Sequence, residues 1–191
     1  MTNNCYAVVG LGNIGEEYSL TPHNAGFMVC DSLSSRFGFS FIFKSIFKAY
    51  LGNFFINNKK VFVVKPATYV NLSGQSVVSL LNFYKININS LIVVHDDIDL
   101  ELGTLKIKKN SSSGGHRGVQ SVIDLLGSNS FVRIKIGVGR KGNPRNFVLS
   151  KFEHNELDVV NNAVSRAEKA VCDIVENGLS YAMNLYNRKV V

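Results

Sequence analysis

Tyr6-Ala7-Val8-Val9-Gly10-Leu11 is a short, apolar, β-rich run that closes on Gly10 and Gly12, and it reads as a buried strand emptying into a glycine loop. Downstream, the chain alternates between helical and strand-like spacing. After Pro22, the apolar spacing from Ala25 to Phe37 predicts an amphipathic helix. Residues 50–56 and 60–65 are strand-like runs flanking Asn57-Asn58-Lys59, the pattern of a hairpin. Ser73 to Tyr84 is helical by its Val77, Val78, Leu80, Leu81, Tyr84 spacing, and Leu91-Ile92-Val93-Val94 is a buried strand running into His95-Asp96-Asp97. Thr104–Lys108 and Val132–Val138 alternate as strands on either side of a helix from Val119 to Leu126 that stops at Gly127. Two helices, 155–177 and 179–187, end the chain. The order β-α-β-β-α-β-β-α-β-α-α predicts an α/β fold: a single layered domain, residues 1–191, with a mixed, largely buried β-sheet flanked by helices. No linker, repeat or low-complexity stretch divides it.

Composition narrows the class. Hydrophobic residues are 46% of the 191, enough to bury a core and to argue against disorder. No apolar run approaches the roughly 18 residues of a membrane span, and Met1-Thr2-Asn3-Asn4-Cys5 lacks the basic and greasy regions of a secretory leader. Cys5, Cys30 and Cys172 are odd in number and far apart, so no disulfide framework or cysteine-built metal site is expected. A soluble, cytoplasmic protein is the expectation. The charge is uneven. Residues 103–145 hold nine Lys/Arg against the single acid Asp124, a net +8, while the rest of the chain sums to −1. Clustered cations bind polyanions by releasing counterions, so a nucleic-acid partner is the natural reading; an accidental clustering of solvated surface charge is the bland one.

Gly10-x-Gly12-x-x-Gly15 superficially matches a dinucleotide fingerprint, but Pro22 and His23 interrupt the helix that should open there, and Asp31 falls inside a helix rather than after a second strand. His23-Asn24 lies at a loop-to-helix junction, where a local cap is the simplest use of the ring. His95-Asp96-Asp97 ends a buried strand, where ligand and catalytic groups of α/β folds collect and where a carboxylate orients an imidazole; an Asx turn is the alternative. Gly114-Gly115-His116-Arg117-Gly118 precedes a helix and offers backbone N–H groups to an anion. The histidines and aspartates lack metal-ligand spacing, so neither metal nor cofactor is expected, and no Gly-x-Ser-x-Gly elbow exists.

Five ordered motifs, Gly10-Leu11-Gly12-Asn13-Ile14-Gly15-Glu16-Glu17-Tyr18, Thr21-Pro22-His23-Asn24-Ala25-Gly26, Asn71-Leu72-Ser73-Gly74, His95-Asp96-Asp97-Ile98-Asp99 and Gly114-Gly115-His116, together resemble the bacterial peptidyl-tRNA hydrolase family. The resemblance runs from Tyr6 through Phe152 and, more loosely, the C-terminal helices. It implies hydrolysis of the ester joining a peptide to the 3′ ribose of tRNA, with peptidyl-tRNA as partner and a monomeric enzyme. By the same resemblance His23 is the general base that activates water, Asp96 orients it, and Asn13 and Asn71 position substrate or water. Tyr18 and Tyr69 match positions near the tRNA 3′ end, and Lys106, Lys108 and Lys135 match positions associated with tRNA phosphate. Three residues depart from the family pattern: Ile14 for a proline, Pro22 for an arginine, and Arg117 for an asparagine. Arg117 lies in the +8 segment, where a guanidinium would reach phosphate or ribose. The rival reading is a non-catalytic RNA-binding relative of the same fold.

Overall fold

The structure, a computed structural model, describes residues 4–188. Met1-Thr2-Asn3, on which the leader reading partly rests, and the last three residues of the expected 1–191 span lie outside them. Seven strands, β1 (Cys5–Gly10), β2 (Ile42–Lys44), β3 (Ala49–Ile56), β4 (Lys59–Pro66), β5 (Leu91–Asp97), β6 (Leu105–Lys109) and β7 (Val132–Gly137), form one mixed sheet in the order β2-β3-β4-β1-β5-β7-β6. The central β4, β1, β5 and β7 are parallel, whereas β2 and β3 on one flank and β6 on the other run antiparallel to their neighbours. Helices α1 (Ala25–Phe37), α5 (Leu157–Asn177) and α6 (Leu179–Tyr186) cover one face over Val8, Val29, Leu33, Ile134 and Val171. Helices α2 (Ser73–Tyr84) and α3 (Arg117–Leu126) cover the other over Val9, Leu80, Val93, Val119 and Phe131.

Local chemistry explains most boundaries. Asn57 and Asn58 both take positive φ, 46° and 63°, as a two-residue hairpin turn requires, so Lys59 belongs to β4 and not to the turn. Gly38 and Gly127 close α1 and α3 in the left-handed region. Strand β5 does not stop at Val94. Its pairing with β7 continues through His95–Lys135, Asp96–Ile136 and Asp97–Gly137, which carries the polar triplet into the sheet. Two elements escaped the periodicity. All three residues of β2 are exposed, so they show no burial alternation, and α4 (Pro144–Phe147), capped by the Asn143 side chain, is too short to display a helical repeat.

The glycine loop is a packing device. A Cβ on Gly26 would clash with the backbone of Leu11 and Val94, and one on Gly10 with Gly26 and Cys30. The helix therefore lies directly against the ends of β1 and β5, and Leu11 N–H donates to Val94 O at 2.9 Å across the same seam. The chain after β1 builds the β4 side of the sheet before returning to β5 on the other side. The carboxyl ends of β1 and β5 thus flank a switch point, the place where such sheets bind ligands.

Candidate active site

Asp96 is the penultimate residue of β5, its side chain 3% exposed, and two histidines converge on one of its oxygens: His23 Nδ1 at 2.9 Å and His116 Nε2 at 2.9 Å from Oδ1. A carboxylate only accepts, so both facing nitrogens carry hydrogens. For His116 the other nitrogen confirms the tautomer, because Nδ1 accepts the backbone N–H groups of Gly118 (3.1 Å) and Val119 (3.3 Å). His116 is thus the side-chain N-cap of α3 and ties that helix to Asp96, which explains why the helix starts at Arg117 instead of Val119. His23 sits on a 3-10 turn, Pro22–Asn24, before α1, with its backbone N–H held by Val148 O at 3.0 Å. Its Nδ1 is engaged, which leaves Nε2 as the nitrogen available to a reactant. Burial alone would raise the Asp96 carboxyl, but the charges and hydrogen bonds of His116 and His23 overcome it and hold the group well below the usual carboxylate range. Asp96 is a buried anion with two donors aimed at it.

Asn24 sets the next part. It precedes α1, yet its side chain does not cap that helix. It clamps the glycine loop instead: Asn13 N–H donates to Asn24 Oδ1 at 2.8 Å, and Asn24 Nδ2 donates to Asn13 O at 2.9 Å. With both its backbone groups satisfied, Asn13 lines the cavity in front of His23. That cavity, about 870 Å³, is also lined by Tyr18, Tyr69, Asn71 and Arg117. Tyr69 is 79% exposed at its rim, Asn71 stands on the 3-10 turn Val70–Leu72 that leads into α2, and Arg117 is the exposed first residue of α3. A smaller cavity of about 320 Å³ adjoins it through His23 and Arg117 and reaches Asp96, Gly114 and Gly115.

Six of the ten residues expected at the site therefore line one cavity, Asp96 lines the one adjoining it, and three lie elsewhere. Lys106 and Lys108 project from edge strand β6, side by side at alternate positions, with no hydrogen-bond or ion partner among the described residues. Lys135 lies opposite Lys106 on β7, but its Nζ is 2.6 Å from Asp97 Oδ2 and its side chain is 14% exposed, so a phosphate would have to compete with that ion pair. Asp97 Oδ1 meanwhile accepts from Asp99 N–H at 2.9 Å, so the Asx turn starts there, one residue past the site carboxylate. Sequence reasoning gave no role to two residues that hold the site together. Asn24 is one of many asparagines and carries no signal of its own, whereas the position of His116 just before a helix marks it as a cap. Among the described residues, His23, Asp96 and His116 are also the one His/Asp/Glu/Cys group compact enough to consider for a metal, with ligand atoms within 4.8 Å. Binding there would cost both histidines the hydrogens they donate to Asp96.

His95, the triplet's first residue, makes no hydrogen bond to the Asp96 carboxylate. It is 1% exposed, its Nδ1 donates to Asp96 O at 2.6 Å, and its ring packs edge-on to His116 at 4.8 Å. Burial, then the neighbouring His116 and lastly Arg133, push its imidazole well below the ordinary value, against the opposing pull of Asp96. An unfolded chain takes up this proton near pH 6.5, whereas the folded chain does not. The associated stability is therefore complete above about pH 6.5 and is lost as pH falls below it. Melting curves of wild type and His95→Gln between pH 7.5 and 5 should diverge, with wild type falling more steeply; parallel curves would show that His95 does not set this dependence.

The sequence profile of the Peptidyl-tRNA hydrolase family matches residues 7–191. A peptidyl-tRNA hydrolase of Caldanaerobacter subterraneus subsp. tengcongensis is 45% identical over 184 residues, covering 95% of this chain and 99% of that protein. One from Thermodesulfovibrio yellowstonii is 45% identical over 187 residues, covering 95% and 98%. The crystal structure of peptidyl-tRNA hydrolase from Acinetobacter baumannii superposes with a TM-score of 0.91 at 33% identity, over 98% of this chain and 96% of that one. With the profile spanning nearly its whole length and these relatives aligned end to end, the chain belongs to the peptidyl-tRNA hydrolase family.

Proposed function

We propose that this hydrolase cleaves the ester between a peptide, or an N-blocked aminoacyl group, and the 3′ ribose of tRNA, with His23 as general base. The observation that carries the reading is the His23 Nδ1–Asp96 Oδ1 hydrogen bond at the edge of a cavity lined by asparagines. Nε2 of His23 takes a proton from water as the water oxygen bonds to the ester carbonyl carbon. The anionic Asp96 stabilises the imidazolium that results, and the amides of Asn13 and Asn71 donate to the oxyanion without titrating. Breakage of the bond to O3′ then sends the same proton to the leaving ribose oxygen, and His23 returns to its starting state. Asn13 also favours a blocked substrate: its amide can meet a peptide amide as donor and acceptor, whereas a free ammonium only donates. The enzyme acts as a cytoplasmic monomer. No helix among the described residues is long and apolar enough to cross a membrane.

Release of tRNA from N-acetyl-aminoacyl-tRNA, with the unblocked aminoacyl-tRNA as control, tests the activity; equal inertness toward both would overturn it. In the same assay Lys106→Ala and Lys108→Ala should raise KM for full-length substrate and each lower the salt slope by about one unit of log K per log salt. A minimal substrate without the tRNA body should be cleaved as before. Equal losses on both substrates would show that these lysines do not act through phosphate. Arg117→Asn should likewise preserve turnover while weakening binding at raised salt, because a guanidinium at the cavity wall adds a phosphate contact that an amide does not.

A further inference from the structure

Three cavities adjoin one another, two of them sharing His23, and their charge differs. The central one has Lys48, Arg117 and Arg145 in its wall and no carboxylate. It shares His23, Arg117 and Arg145 with the cavity beside Gly114, where Arg140 enters too, Asp97 and Asp99 are paired with Lys135 and Arg140, and Asp96 is held by His23 and His116. It shares Asn13 and Ile14 with a third cleft of about 400 Å³ that has no residue in common with the second. Phe27, Met28, Phe41 and Tyr50 line this third cleft, with the uncharged Ser19 and Asn24 among its other residues. Its two charged residues cancel: Lys65 Nζ is 2.6 Å from Asp31 Oδ1, and the ammonium lies over the rings of Phe27 (5.4 Å) and Phe41 (4.7 Å).

A substrate that is a polyanion on one side of an ester and a peptide on the other would be sorted by such a layout. The cationic arm draws the RNA end, and the aromatic arm suits peptide side chains. Resting on the reading given under Proposed function, we infer that the cleft of Phe27, Met28, Phe41 and Tyr50 binds the side chain of the peptide residue preceding the ester-linked one. The saddle between the cavities is built for a chain to cross. Asn13, which lines both cavities, has its backbone groups bonded to Asn24, and Ile14 beside it is 43% exposed. An extended peptide advances about 3.3 Å per residue, so with the ester at His23 the inference puts the side chain of the next residue beyond the Asn13–Ile14 ridge. Ile14, where the family commonly has proline, adds apolar surface to that ridge.

The test compares kcat/KM for N-acetyl-Ala-tRNA, N-acetyl-Gly-Ala-tRNA and N-acetyl-Phe-Ala-tRNA. Wild type should favour Phe-Ala over Gly-Ala by about tenfold, the scale for partial burial of one aromatic side chain. Phe41→Ala and Tyr50→Ala, measured separately so that one misfolded variant does not decide the matter, should bring that ratio toward one. A wild-type ratio near one overturns the inference, and so does a high ratio that neither substitution changes, since the peptide would then lie elsewhere. If N-acetyl-Ala-tRNA is not cleaved at all, the hydrolytic reading fails instead, and the two failures are told apart by that substrate alone.

Discussion

His23→Ala should cut hydrolysis of N-acetyl-aminoacyl-tRNA by at least about 10²- to 10⁴-fold, the contribution of a positioned general base. The fold should survive the change. His23 is on a short 3-10 turn whose backbone N–H bonds to Val148 O whatever the side chain, and the core of α1 begins after it at Ala25. His116 continues to hold Asp96 in the variant, so the buried carboxylate keeps a donor. Single-turnover kinetics beside a thermal melt check both halves of the expectation. Turnover within a few-fold of wild type in a folded variant would remove His23 from the mechanism.

Asp96→Asn should lower activity by about 10²-fold, less than loss of His23 itself, because it disturbs the orientation and charge of the ring but leaves the ring in place. An asparagine can accept through one atom only, and its NH2 group meets a histidine nitrogen as donor against donor when it turns the other way. Stability should fall as well. The Asp96 carboxyl is held below its ordinary range in the folded chain, so its stabilising contribution is present above the unfolded value of about 3.9 and is lost only as pH drops through the folded one. At pH 7 wild type enjoys all of it and the variant none. A melting temperature equal to wild type at pH 7, together with turnover near wild type, would show that the two histidines do not depend on this charge.

Long periodic segments were legible in the chain, and so were their ends where a glycine or an asparagine pair supplies the backbone geometry. α1, α2, α5 and the β3–β4 hairpin lie where apolar spacing puts them, because the 3.6- and 2-residue repeats are direct consequences of burying one face. β2 and α4 were not legible: three exposed residues and a four-residue turn bury too little to leave a pattern. The candidate residues His23 and Asp96 were legible through motifs, as positions at a helix start and a strand end.

The order of strands and helices, the basic segment and the identity of the polar residues at strand ends are properties of the sequence alone, since they follow from local spacing and composition. Tertiary structure decided which groups meet. Sequence adjacency pairs His95 with Asp96, but the His95 ring bonds only the Asp96 backbone carbonyl, whereas the Asp96 carboxylate meets residues 73 positions earlier and 20 positions later in the chain. The same pleat, in register with β7, put Lys135 against Asp97 rather than in open solvent. Which two histidines share one carboxylate oxygen is set by the close approach of α1 to the ends of β1 and β5 and by the capping of α3, contacts between elements that no local periodicity encodes.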